Sequence, residues 1–144
     1  MANVTRKQVS DAIIKNVVAL GYFVQVAKVN RDPENAPNAS FYLTKTTEEF
    51  FRQSISLPAK RVFTYTAFVY VDNDGDQNVV PLDNLDESLD VVEPAFAPDN
   101  LAFGTCTLGG LVFSAMIKKA QRGWAGDVTG KGFAILTIEV IMNS

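Results

Sequence analysis

The chain has 144 residues, of which 47% are hydrophobic and 20% are charged, and its formal net charge is −3. This length and balance predict one soluble globular domain, residues 1–144, with a substantial core. The small negative charge excludes a general attraction to nucleic acid or anionic membranes. No apolar run approaches the length of a membrane span.

Two absences limit the chemistry. The chain has no histidine, which excludes Ser-His-Asp and Cys-His nucleophilic sites and nearly all zinc sites. Its single cysteine, Cys106, cannot form an intrachain disulfide and has no histidine to activate it. We therefore expect a non-enzymatic protein without a cofactor or metal, with Cys106 reduced and half-buried.

The first predicted element is a helix over residues 5–20. Thr5 and Gln8 fit a capping box at its start, and Gly21 fits the position after its end. Apolar residues recur every three or four positions and form one stripe, which consists of Val9, Ile13, Val17 and Leu20.

Strands and loops are predicted to follow this helix. Residues 22–30 alternate in part and predict a strand, whereas 31–40 are rich in proline and asparagine and predict a loop. Residues 41–46 fit a short strand. Residues 47–57 are ambiguous between a helical turn and an edge segment of the sheet.

The middle of the chain gives clearer patterns. Residues 61–71 are rich in β-branched and aromatic side chains and predict the strongest strand. A second helix is predicted from Pro81 to Phe96, where Pro94 should kink or end it. Its apolar stripe consists of Leu82, Leu85, Leu89, Val92 and Phe96.

Residues 97–110 are predicted to be an irregular connection, followed by strands over 111–121 and 132–142. The three glycines between those strands indicate a hairpin loop. Because two amphipathic helices each need an apolar partner, the predicted fold class is α+β. We expect a twisted, mainly antiparallel β-sheet with both helices on one face and a protruding C-terminal hairpin.

The stretch VDNDGDQN, residues 71–78, places Asp72, Asp74 and Asp76 at alternate positions, as a calcium loop does. A twelve-residue calcium loop that begins at Asp72 requires glycine at position six and glutamate at position twelve, where this chain has Gln77 and Asp83. The preceding segment is also a strand and not a helix. A polar turn is therefore favoured, and a small calcium- or ligand-binding domain remains an alternative.

The C-terminal half resembles the tail terminator (tail completion) proteins of long-tailed bacteriophages. The resemblance covers roughly residues 79–142 and rests on the order and spacing of elements. A leucine-striped helix after Pro81-Leu82 leads to Ala97-Pro98-Asp99, and the segment from Leu108 to Val112 opens a strand. A variable hairpin and an alternating strand from Phe133 to Met142 complete the pattern.

This resemblance implies a structural virion protein of the tail and neck, assembled in the host bacterial cytoplasm. Such proteins form a hexameric ring on the head-proximal end of the tail tube, end its polymerisation and present a docking surface. The implied partners are further copies, the tail tube protein and the head connector, and DNA only passes through the ring. The alternative within virion assembly is another head–tail connector or neck protein.

Ring formation requires contact residues on exposed loops or sheet edges. Trp124 lies in a glycine-rich hairpin, where it either anchors a contact or folds back and is buried locally. We predict that the 122–131 hairpin and the 31–39 loop form interfaces. The candidate interface residues are Arg122, Trp124, Asp127, Lys131, Arg31, Asp32 and Asn35.

Overall fold

The computed structural model describes residues 4–28, 39–51, 60–72, 81–123 and 131–143. In chain order the elements are α1 (Arg6–Val18), β1 (Gln25–Ala27), β2 (Ser40–Phe51), β3 (Lys60–Asp72), α2 (Pro81–Val92), a 3₁₀ helix (Glu93–Phe96), β4 (Ser114–Gly123) and β5 (Lys131–Asn143). No described helix is both long enough and apolar enough to cross a membrane.

The described strands form one five-stranded sheet in the order β1-β2-β3-β5-β4. Only β1 and β2 pair in parallel, and every other neighbouring pair is antiparallel. The predicted α+β class with a mainly antiparallel sheet is therefore confirmed. The antiparallel pairing of β4 with β5 fits the predicted hairpin, whose connection, residues 124–130, lies outside the described residues.

The first helix follows its sequence signals closely. The Thr5 side chain accepts a hydrogen bond from the Gln8 backbone N–H, and the Gln8 side chain accepts one from the Thr5 backbone N–H. The capping box is therefore present. Beyond the end of the helix, Gly21 has a φ of +67°, a conformation that favours glycine.

Both helices pack on one face of the sheet, as predicted. The buried side chains of α1 and of α2 belong to a single core cluster with alternate residues of β2, β3 and β5. Since alternate residues of a strand point to the same side, this cluster defines the inner face of the sheet. The helix residues of the core are Val9, Ile13, Val17, Leu85 and Val92.

Pro94 explains how the second helix ends. The α-helix stops at Val92, and Pro94 lies in the first turn of the 3₁₀ helix that follows. Proline has no N–H to continue the α-helical hydrogen bonds, so the chain tightens into a short 3₁₀ segment. That segment still buries Ala95, and Phe96 packs against the core.

Three sequence-based boundaries need correction. Residues 41–51 form one continuous strand rather than a short strand and an ambiguous segment, because they pair with β3 along their whole length apart from an irregularity between Lys45 and Thr47. The strand predicted from 111 begins at Ser114, since residues 108–111 form a turn. The strand predicted over 22–30 is limited to Gln25–Ala27 within the described residues.

Candidate interaction surface

The connection between the 3₁₀ helix and β4, here called the 99–113 loop, is built around Asp99. The Asp99 carboxylate accepts hydrogen bonds from the Thr107 backbone N–H at 2.6 Å and the Thr107 hydroxyl at 2.8 Å. Its second oxygen accepts the Gly109 N–H at 3.1 Å. These hydrogen bonds to the ionised form, first of all those from the Thr107 and Gly109 backbones, lower the pKa of Asp99.

The first half of the loop is a tight turn around Asn100. The Asn100 backbone carbonyl accepts the Gly104 N–H at 2.8 Å, and its side-chain oxygen accepts the Ala102 N–H at 3.0 Å. Asn100 and Thr105 also form an isolated antiparallel bridge. Gly104, with a φ of +65°, allows the chain to turn back.

The second half of the loop reverses direction through three consecutive residues with positive φ. They are Leu108 at +51°, Gly109 at +75° and Gly110 at +92°. A leucine rarely adopts this region, and Leu108 is also 95% buried, with 5% of its surface exposed. The Thr107 carbonyl closes the turn by accepting the Leu111 N–H at 2.9 Å.

Buried residues attach this loop to the domain. Cys106, Leu108 and Val112 belong to the core, and the Ala115 N–H of β4 donates to the Cys106 carbonyl at 2.8 Å. Cys106 is therefore buried rather than half-buried, and burial raises the pKa of its thiol above the ordinary value.

The same loop exposes large apolar side chains to solvent. Leu101 is 94% exposed, Phe103 70% and Phe113 41%, and the two phenylalanine rings lie 6.1 Å apart. Leu101, Phe103 and Phe113 line a groove of about 720 Å³, whose lining also includes Asp99, Asn100 and Thr107.

This combination is suited to binding a macromolecule. A contiguous exposed apolar patch is typical of an interaction surface, and aromatic side chains often anchor such contacts. The hydrogen bonds of Asp99 and Asn100 hold the loop in one conformation. Binding a partner therefore costs less conformational entropy, because the loop is already ordered. We define the apolar patch as Leu101, Phe103 and Phe113.

Sequence reasoning missed this patch because the segment was treated as an irregular connection. The sequence did contain a signal for an exposed patch. The neighbours of Leu101 and Phe103 disfavour helices and strands, and the two residues belong to no periodic apolar stripe. Apolar residues that no element can bury are candidates for a contact surface.

The structure describes the backbone of only two of the seven predicted interface residues, Arg122 and Lys131. Trp124, Asp127, Arg31, Asp32 and Asn35 fall outside the described residues. The backbone of Arg122 is near the end of β4, opposite Ala134, and that of Lys131 begins β5, opposite Asp72 of β3. The chain thus places these two predicted residues at the same end of the sheet.

The possible calcium ligands are only partly described. The backbone of Asp72 ends β3, which confirms that a strand precedes this stretch, while Asp74 and Asp76 lie outside the described residues. Among the residues that the structure describes, no group of three or more acidic or cysteine side chains could hold a metal ion.

A second groove, of about 480 Å³, lies between α1 and the sheet. Its basic residues are paired with acids: Arg6 with Glu48, and both Lys7 and Lys28 with Asp11. Tyr65 at its base is 98% buried, with 2% of its surface exposed, and burial raises its pKa to about 12. Because its charges are internally compensated, this groove is a weaker candidate for binding a partner than the apolar patch.

Comparison with known proteins gives a structural similarity. No family model and no curated protein sequence matches the chain. A solved structure described as the virion of a native gene transfer agent particle contains a chain of similar fold, with a TM-score of 0.53 at 14% sequence identity. The match covers 94% of this chain and 95% of that chain, so the similarity of fold extends over nearly the full length of both.

Proposed function

We propose that this chain is a structural virion protein that forms a ring on the head-proximal end of a phage tail tube. The ring ends tube polymerisation and provides the docking surface for the head connector. The observation that carries the proposal is the similarity in fold, over nearly the full length of both chains, to a chain of a virion particle. The terminator-like order of elements over residues 79–142 supports the same assignment.

The surface of the domain suits this role. A ring subunit must contact its neighbours, the tube below it and the connector above it, and therefore needs several exposed contact regions. The apolar patch on the hydrogen-bonded 99–113 loop supplies one such region. The predicted 122–131 hairpin and 31–39 loop supply the others in this proposal.

Charge is compatible with the passage of DNA. Each copy carries a formal net charge of −3, so six copies carry −18. A ring of net negative charge does not attract the phosphate backbone over long distances, and DNA can slide through without being retained.

Tail assembly with and without the chain tests the proposal. Tail tube subunits from the same particle should form tubes of uncontrolled length when the chain is omitted, and tubes of uniform length when it is present. Electron micrographs should show a ring at one tube end. A chain that leaves tube length unchanged but is required for joining heads to tails would instead be a neck protein.

The ligand-binding alternative predicts a different result. A calcium-binding domain would remain monomeric and gain several degrees in melting temperature in millimolar calcium, because a ligand that binds only the folded state stabilises it. Size exclusion with light scattering and a thermal melt separate the two functions.

A further inference from the structure

On each of its two sides, the described sheet has a stretch of strand with no described strand beside it. We call these two stretches the margins of the sheet. Strand β4 pairs with β5 on one side only and is an edge of the sheet. On the other side, β1 pairs with β2 only at Ser40, Phe41 and Tyr42, so residues 43–51 have no described strand beside them. Unpaired strand edges offer backbone donors and acceptors to another chain.

The strand directions make these two margins compatible. The four long strands, in the order β2-β3-β5-β4, are antiparallel to their neighbours, so β2 and β4 run in opposite directions. If a second copy stands beside the first in the same orientation, β4 of one therefore meets β2 of the other in antiparallel pairing, the commoner pairing in sheets.

The charges of the two margins are opposite. Strand β4 contains Lys118, Lys119 and Arg122 and no acidic residue, whereas residues 43–51 contain Glu48 and Glu49 and a single lysine. The Glu49 and Lys119 side chains are both exposed. Glu49 pairs with Val62 and Lys119 with Thr137, which places both on the outer face, away from the helices.

The pairing registers fix how far apart Glu49 and Lys119 lie along the strands. Residues that pair side by side across the strands form rows on the outer face. The row that contains Glu49 ends at Ser114 of β4, and the row that contains Lys119 ends at Thr44 of β2. One further row, through Thr47 and Met116, lies between them. An offset of two rows between neighbouring copies, four residues or about 13 Å along the strands, would bring Glu49 beside Lys119, and strands in closed sheets are staggered in this way.

We propose that copies of this chain join head to tail by pairing β4 of one copy with residues 43–51 of β2 in the next. The result is one continuous antiparallel sheet around the ring, with Glu49 and Lys119 as a cross-strand ion pair, while Lys118 keeps its ion pair with Glu139 of its own chain. This inference rests on the proposed ring function and assigns the contact between its subunits. A two-fold contact through β4 is disfavoured, because it would place basic strands against each other.

Cysteine cross-linking tests the contact in the full chain. In a Cys106→Ala background, Glu49→Cys and Lys119→Cys are made singly and together and treated with a short bismaleimide, which tolerates a small stagger. The double variant should form a covalent ladder that ends at the ring size on a denaturing gel. Each single variant should remain monomeric on that gel, and an equal mixture of the two should stop at covalent dimers.

The matched control combines Lys119→Cys with Glu87→Cys, an exposed residue on α2, and should give no ladder. Dimers from Lys119→Cys alone, or a double variant that gives no ladder although light scattering shows a ring, would overturn the inference. These failures are distinct from failure of the proposed function. If the chain controls tube length but the double variant gives no ladder, only the edge contact is refuted. If the double variant gives a ladder but the chain has no effect on tube length, only the terminator role is refuted.

Discussion

The Asp99 carboxylate accepts two hydrogen bonds from Thr107, one from the Thr107 backbone N–H at 2.6 Å and one from the Thr107 hydroxyl at 2.8 Å. These two contacts join the ends of the turn that carries Leu101 and Phe103. The exposed apolar residues are therefore displayed by a polar, hydrogen-bonded frame.

The first prediction concerns pH. Because folding lowers the pKa of Asp99, its ionised form stabilises the fold above the unfolded-state pKa of about 4. That contribution is lost as pH falls through the lower folded-state value. Thermal unfolding should show Asp99→Asn less stable than the parent at pH 7, with a difference that shrinks near pH 3.

Asp90→Asn on the exposed side of α2 is the matched control and should differ little from the parent at pH 7. A stability gap between Asp99→Asn and the parent that stays constant down to pH 2 would contradict the role of the Asp99 charge.

The second prediction concerns the apolar patch. Leu101→Ser and Phe103→Ser should weaken docking on the order of tenfold, as loss of a contact anchor does. The free energy of unfolding should change by less than about 0.5 kcal/mol, since both side chains are largely exposed. Titration against assembled tubes and denaturant unfolding measure the two effects.

Val24→Ser is the control for this experiment, because Val24 is 70% exposed but lies outside the patch. Equal docking by the Phe103→Ser and Val24→Ser proteins would show that the patch is not a contact surface.

The third prediction concerns the strained turn at Leu108. Glycine is usually about 0.5–1 kcal/mol less favourable than alanine, because it loses more backbone entropy on folding. At Leu108, where φ is +51°, this preference for alanine should disappear or reverse. The Leu108→Gly protein should therefore be at least as stable as the Leu108→Ala protein. Both should be less stable than the parent, since Leu108 is buried in the core.

Denaturant unfolding of the two variants decides the point. A Leu108→Ala protein that is clearly more stable than Leu108→Gly would indicate that the backbone at this position carries no strain.

The fourth prediction concerns Trp124 in the predicted interface hairpin. Trp124→Ala should weaken ring formation or docking to the tube, because a rigid aromatic beside Arg122 in the sequence is typical of a contact anchor. Ring counts in electron micrographs and tail-length distributions measure this. Unchanged assembly would remove the hairpin from the interface and leave the apolar patch as the favoured contact.

The sequence by itself determined the elements whose signals are local. The capping box at Thr5, the stripe of Val9, Ile13 and Val17, and the break at Pro94 all depend on residues within a few positions of one another. The β-branched and aromatic run of β3 and the alternation in β5 likewise predicted strands within about one residue of their observed ends.

Only the tertiary structure decided which residues remain at the surface and which strand edges stay open. Glu48 to Phe51 became part of β2 because they pair with β3, and the local pattern did not reveal this pairing between separate segments of the chain. Leu101 and Phe103 are exposed, although Leu108 of the same loop is buried, because hydrogen bonds to Asp99 fix the turn that carries them. Strand order depends on contacts between residues distant in sequence, so periodicity could not predict that β4 and residues 43–51 would form the margins of the described sheet.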